Sequence, residues 1–563
     1  MPSSFLRESS GSKAIEPVDA TPCGAAAMWL GLLRKMRLRE AIDALLPTEA
    51  ELSHGEVIEA LVLNRLTDPE PLYEVEGWAR ESGFAALTGR DAARFNDDRI
   101  GRALDALAPK IRDAQASVTP HVITAFELRV GDAHYDTTTA YFEGDYEDSE
   151  LAARGHNKDG RGDHKQVVVG VVTSEDGEVP LAHTTFPGNT GDVSTVPEAL
   201  RALRRCLPTD PVVVSGDSVM WSQANMDAVA ASGGVFLGPI AMIPSVAAWV
   251  CAASPTVDVD VTLAGREEPV RYRACVVGRF RVNGVADAGA RIMVLDPRRA
   301  VAEAAERAAA LVRMEAALEA LAAKLKAASV PKPTLPPSKP VSAEKAQAAA
   351  DKKQLAAQKR RQDAPKKLDA LRKRHGLAAR YLKTKLTEVE GVLTLTWSRD
   401  EEALAESTRR DGRWPLVTNR AGLSDAELCA WAVRRYKAHG RIERDQHLLK
   451  GPLRLRPFFV HNDDRVRALV AVCAWALMAW TLLERQARRT LSSPKKKRDV
   501  ARPWVRRVES ALAGVVVMSF RIGTAPGLLR KVTPLSSAQQ SLLHGLGWSR
   551  EVHALLAEVS TMQ

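Results

Sequence analysis

The chain has 563 residues, 45% hydrophobic and 26% charged, a composition that excludes a disordered or fibrous chain and predicts a soluble protein of two to four domains. Its six cysteines are scattered without a CxxC pair, which excludes a zinc ribbon or a disulfide scaffold and fits a reducing cytosol. The formal net charge is +10, and the segment Lys352 to Lys385 alone holds 13 Lys/Arg against two acids, so the positive charge is concentrated where a polyanion such as DNA would meet it.

Residues 1–120 read as a helical domain. Its opening, "MPSSFLRESSGSKAIEP", lacks the apolar core of a signal peptide. Apolar residues then recur at helical spacing in "MWLGLLRKMRLREAIDALL", "GEVIEALVLNRL" and "RIGRALDALAPKI", with Ser53 as a cap and Pro69 and Pro71 as punctuation.

Near residue 121 the period changes. "HVITAFELRV", "AHYDTTTAYF", "HKQVVVGVVTS", "VPLAHTTF" and "PVVVSGD" read as successive strands over 121–240, and "VSTVPEALRALRRCL" as a helix between them. The valine runs do not alternate, which predicts strands covered on both faces. Residues 241–390 read as an insertion, strand-leaning at first. It continues through an alanine-rich helix and a proline-rich linker over 329–342 to the basic helical segment. Strand character returns within 391–485, at "GVLTLTWSRD" and "RWPLVTN". The apolar run Ala468 to Leu483 is shorter than the roughly 20 residues of a membrane span and reads as a buried helix, so no membrane is expected as a partner. Residues 486–563 form a basic tail, in which "PKKKRDV" reads as a solvated loop or a DNA-backbone contact rather than an import signal.

Two acids of the sheet region stand out. Asp136 lies inside a strand and is followed by threonines, and Asp217 follows the apolar strand "PVVVSG", where a strand end opens into a crevice. Glu443, in "RRYKAHGRIERDQHLLK", is an acid held among bases. Three converging carboxylates can hold two hard divalent cations about 3.5–4 Å apart, the arrangement for in-line attack on phosphorus. An all-oxygen ligand set predicts two Mg2+ ions, with Mn2+ able to substitute. His134, His164 and His183 lack ligand spacing and read as structural.

These stretches, with "FPGNTGD", "DGRWPLVTN", "LRLRPFFVH" and "FNDDRIGRALDAL", resemble the insertion-sequence transposases of the DDE class. The subgroup they resemble most carries a Tyr-x2-Arg-x3-Glu-x6-Lys signature. Tyr436, Glu443 and Lys450 fall at its spacings, while His439 stands where that family has arginine, with Arg435 or Arg441 as substitutes.

The resemblance implies an α/β fold: a ribonuclease-H-like mixed sheet interrupted by a long insertion, behind a helical N-terminal domain that reads transposon ends. It implies metal ligation by Asp136, Asp217 and Glu443, and DNA contacts by Tyr436, His439, Arg441 and Lys450. Trp221 is a candidate platform for a flipped base, against a core role. The implied reaction is hydrolysis at terminal inverted repeats, then 3′-hydroxyl strand transfer into target double-stranded DNA. The enzyme is expected as a homodimer on paired ends, in the cytoplasm of a bacterium and associated with the nucleoid. The alternatives are a host-retained ribonuclease-H-like nuclease and a non-catalytic DNA-binding protein on a decayed core.

Overall fold

The computed structural model describes residues 15–156, 162–208, 212–262, 268–329, 343–389, 392–438, 447–456, 458, 460–491, 504–522 and 528–559. Its strands are β1 (Ile15–Pro22), β2 (Asp132–Tyr141), β3 (Gln166–Ser174), β4 (Pro180–Pro187), β5 (Val213–Ser215), β6 (Val235–Pro239), β7 (Val257–Val261), β8 (Val270–Val282), β9 (Val285–Leu295), β10 (Leu382–Val389), β11 (Val392–Arg399), β12 (Arg413–Thr418), β13 (Val516–Ile522) and β14 (Leu528–Val532).

The centre is a nine-stranded sheet in the order β4-β3-β2-β5-β6-β12-β9-β8-β7. β2, β3 and β4 form an antiparallel meander, and β5 and β6 are parallel to β2 on its other side. A parallel return needs a crossover, which the helix Asp192–Cys206 supplies. This is a mixed α/β core, and the strand-leaning residues after 256 extend the same sheet as β7, β8 and β9.

Valine runs mark strands covered on both faces. One face packs Tyr135, Val172 and Val214 against Val196, Leu200 and Leu203 of the crossover helix. The other packs Val213, Leu237 and Leu416 against Leu428, Cys429, Ala432 and Val433 of the helix Asp425–Ala438. Gly238 is needed for the first layer, because a Cβ there would fall 1.9 Å from the indole nitrogen of Trp221. Gly238→Ala should therefore lower stability by about 1–3 kcal/mol, the usual cost of overpacking, as read by denaturant unfolding.

The stretch "HVITAFELRV" departs from its reading as a strand. Residues 121–125 complete the helix Ile111–Ala125, which runs through Pro120. Burial of Val118, Thr119 and Val122 outweighs β-propensity there.

The N-terminal helices pack around the helix Asp463–Thr490, whose asparagine cap, Asn462, accepts from two backbone amides. This helix is long and apolar enough to cross a membrane, but 94% of its apolar window is buried inside the protein. An all-round apolar helix is what a core position requires. Ser53 and Glu56 close a capping box at the helix His54–Thr67. β1 pairs with β13, so the two ends of the chain share a three-stranded sheet.

His183 of β4 is buried beneath this layer, its carbonyl accepting from Gln115 at 3.0 Å and its ring edge-on to Trp475. Burial pushes its imidazole down to about 3. The folded ring stays neutral while the unfolded ring takes up a proton below about 6.5. Its contribution is complete above that pH and is lost as pH falls toward 3, at about 1.4 kcal/mol per unit. Glu59, pushed up to about 7 by burial, has the opposite sign. The check is therefore the difference between His183→Gln and wild type, whose stabilities should converge by about 2 kcal/mol between pH 6.5 and pH 5.

The helices Pro297–Ser329 and Ala343–Arg374 and the hairpin β10–β11 form a satellite between β9 and β12 with its own core around Met314, Leu318, Leu368 and Leu395. Arg307 fixes it through a bidentate pair with Asp411 at 2.7 and 2.6 Å. Lys352, Lys359, Lys366, Lys367, Arg372, Lys373 and Arg374 all face solvent.

Candidate active site

The pairing of β2 with β5 decides where the two aspartates fall. Asp132, Ala133 and His134 lie beside Val213, Val214 and Ser215. Two residues beyond the last pair on each strand stand Asp136 and Asp217. Neighbouring strands are about 4.8 Å apart, and a Cβ on Gly216 would meet the carbonyl oxygen of Tyr135 at 3.2 Å, so the strands stay close past the last formal pair. Asp136, within β2, and Asp217, just past the end of β5, thus each stand two residues beyond the last pair of two adjacent parallel strands.

Side chains alternate along β2. Ala133 and Tyr135 face the crossover helix, and Thr137 donates to Asp192 at the start of that helix at 2.7 Å. The even residues face the opposite way, Asp132 toward the helix Asp425–Ala438 and Ala140 toward the N-terminal helices, with Asp136 on the same side of the strand between them. Arg435 of that helix forms an ion pair with Asp132, whose side chain is 3% exposed. The helix preceding Glu443 is therefore tied to the strand that bears Asp136. Asp136 is half-buried and accepts from the Thr137 amide at 2.7 Å; Asp217 is exposed, caps the short turn Ser218–Met220 and accepts from the Ser218 amide at 2.9 Å.

Tyr436 is half-buried on the same helix. Its phenol is pushed above its ordinary value first by burial and then by the charge of Asp217, which places the ring within the aspartate's field. Its hydroxyl keeps its proton, so it suits donation to a phosphate rather than nucleophilic attack. Lys450 ends a short helical turn over 447–450 and is half-buried. His439, Arg441 and Glu443 lie outside the described residues.

Trp221 takes its core alternative. It is 7% exposed, donates from its indole nitrogen to the Gly216 carbonyl at 3.3 Å and packs against Phe236. Its faces are committed to the protein interior, so it offers no platform for a base. Sequence reasoning missed the Arg435–Asp132 tie. Its signal is the four-residue spacing of Asp132 and Asp136, which gives them one strand face.

Asp136 and Asp217 fit a hard divalent cation, since both offer carboxylate oxygen from adjacent strands and no cysteine competes. Among the described residues no group of three or more His, Cys, Asp or Glu is assembled, and the third proposed acid is outside them.

A family model for a domain of unknown function, DUF4277, matches residues 26–113, within the N-terminal helical region. No curated protein matches the chain. Among solved structures, the cryo-EM structure of a piggyBac transposase synaptic complex with hairpin DNA is similar over 91% of this chain and 89% of that one. Its identity is 10% and its TM-score 0.25, a likeness too slight to bear on fold or function.

Proposed function

We propose that the protein is a DDE-type DNA transposase of an insertion sequence. The observation that supports this reading is that Asp136 and Asp217 each stand two residues beyond the last pair between the parallel strands β2 and β5. The helix that leads to Glu443 is docked on the same face.

In this reading Asp136, Asp217 and Glu443 would hold two Mg2+ ions, which supply an activated water or 3′-hydroxyl and stabilise the leaving oxygen of an in-line displacement. Asp217 is oriented by the amide of Ser218, and the half-buried Tyr436, within the field of that carboxylate, would offer its hydroxyl to a phosphate oxygen. Lys450, Arg441 and His439 supply further phosphate contacts. The solvent-facing cations of the helix Ala343–Arg374 bind the DNA backbone without reading sequence. Pairing two ends makes a homodimer the working unit, in the bacterial cytoplasm at the nucleoid.

The test is to sequence the DNA flanking the gene and to incubate the purified protein with it in Mg2+. Short terminal inverted repeats, flanking target duplications and cleavage at the repeat ends are expected. Cleavage without repeats favours a host nuclease, and binding without cleavage favours a DNA-binding protein.

A further inference from the structure

A cavity of about 680 Å3 opens between the N-terminal helices and residues 454–456 and 460–462. That volume falls in the range of small-ligand pockets, about 300–1,000 Å3. Arg65 lines it while only 6% exposed. One of its terminal nitrogens donates to the Glu70 carbonyl at 2.7 Å, and its Nε is buried without a partner. Among the described residues no carboxylate closes an ion pair with Arg65; Glu70 acts on it only through space, and Arg454 adds a second positive charge beside it.

A buried cation without a counter-ion costs several kcal/mol. The fold nevertheless holds Arg454 in place as well, with a left-handed φ of 44° and a bond from its guanidinium to the Pro69 carbonyl at 2.8 Å. Such a backbone at a non-glycine residue carries its own cost of about 1–3 kcal/mol. Two guanidiniums thus line one cavity, and an anion bound between them would offset the buried charge of Arg65. The rest of the wall is mixed: Arg456 and Arg465 face Glu70 and Asp97 so that the lining stays net positive, Pro71, Leu72 and Val460 give it an apolar side, and Tyr73 stands at the rim with 69% of its surface exposed. The ligand therefore joins an anion to a flat, apolar body.

We propose that this cavity binds one nucleoside monophosphate unit, its phosphate held by Arg65 and Arg454 and its base against Tyr73 and the proline–leucine wall. Aromatic and guanidinium planes are the usual supports for an unstacked base. The unit can come from a free nucleotide or from the end of a DNA strand. Between the lining residues Arg456 and Val460, Phe458 bridges to Phe142, the residue that follows β2, and Tyr146 donates to the Phe458 carbonyl at 2.9 Å. Phe142 is six strand steps from Asp136, about 20 Å, or roughly six stacked nucleotides. That continuity favours the strand end, a choice that rests on the transposase reading.

The experiment is isothermal titration of the full chain with dAMP, deoxyadenosine and inorganic phosphate, and with duplex DNA that is blunt or carries a short single-stranded end. dAMP is expected to bind more tightly than phosphate alone, and deoxyadenosine not at all. Arg65→Met should weaken dAMP by about tenfold or more, the worth of one charge-assisted hydrogen bond. Tyr73→Ala, a change at an exposed residue that leaves folding intact, should weaken it less. Tighter binding of the single-stranded end, lost in Arg65→Met, identifies the strand as the source; dAMP binding with no preference for that end identifies the free nucleotide. dAMP affinity unchanged in both variants overturns the proposal. Such a failure leaves the transposase reading standing, because Asp136→Asn tests that reading without touching this cavity.

Discussion

Replacing Asp136 or Asp217 with asparagine should reduce magnesium-dependent DNA cleavage by about a thousandfold or more while leaving DNA affinity nearly unchanged. Asparagine keeps the size of the side chain and one carbonyl oxygen, but removes the charge that a divalent cation requires. Charge stabilisation by a bound cation is worth several kcal/mol in the transition state, and each 1.36 kcal/mol is tenfold in rate. Affinity rests instead on cations meeting phosphates, so deleting one negative charge does not weaken it. Glu443→Gln should behave like the two aspartate variants. Asp192→Asn is the control, because Asp192 accepts from Thr137 on the opposite face of β2. The decisive measurement is cleavage and binding of one labelled DNA end by all four variants. Full cleavage by Asp136→Asn or Asp217→Asn removes that residue from the site, and equal loss in Asp192→Asn points to damage of the fold.

The sheet was legible because its physics is local. Buried strands need unbroken valine runs, and "VVVGVV" and "VVVSG" have few other uses; the crossover helix shows its stripe in "VPEALRALRRC". The helix Ile111–Ala125 was not legible, since Val122, Ile123 and Thr124 favour a strand and only the packing beneath them decides otherwise. Nor was the origin of β7, β8 and β9 within the main sheet, because pairing with β12 at a distance of over a hundred residues leaves no mark in local pattern. For the site, sequence supplied the residue types and spacings, and the register of β2 with β5 supplied the adjacency of two acids. Trp221 shows the limit: its motif reads the same whether the ring faces a ligand or Gly238, and the close approach over that glycine places it in the core.

The tie between Arg435 and Asp132 should carry the largest stability effect near the site. Asp132 is almost wholly buried, so Arg435→Met would leave a carboxylate without its counter-charge, at a cost of about 3–5 kcal/mol. Glu175 sharpens the test. Burial first, then its hydrogen bond with Asp132, raises its carboxyl above the ordinary value, and the guanidinium of Arg435 partly offsets this. A carboxyl raised in the folded state favours folding below its unfolded pKa, and that contribution is lost as pH rises through the folded value. Removing Arg435 takes away the offset, so the variant should lose more stability at pH 8 than at pH 5. Asp132→Asn in the same chain should restore most of the loss, because the orphaned charge is then gone. Urea unfolding of the two single variants and the double variant measures the coupling directly. Losses that simply add would show that Arg435 and Asp132 do not act as a pair, and the docking of the helix Asp425–Ala438 would then rest on its apolar face alone.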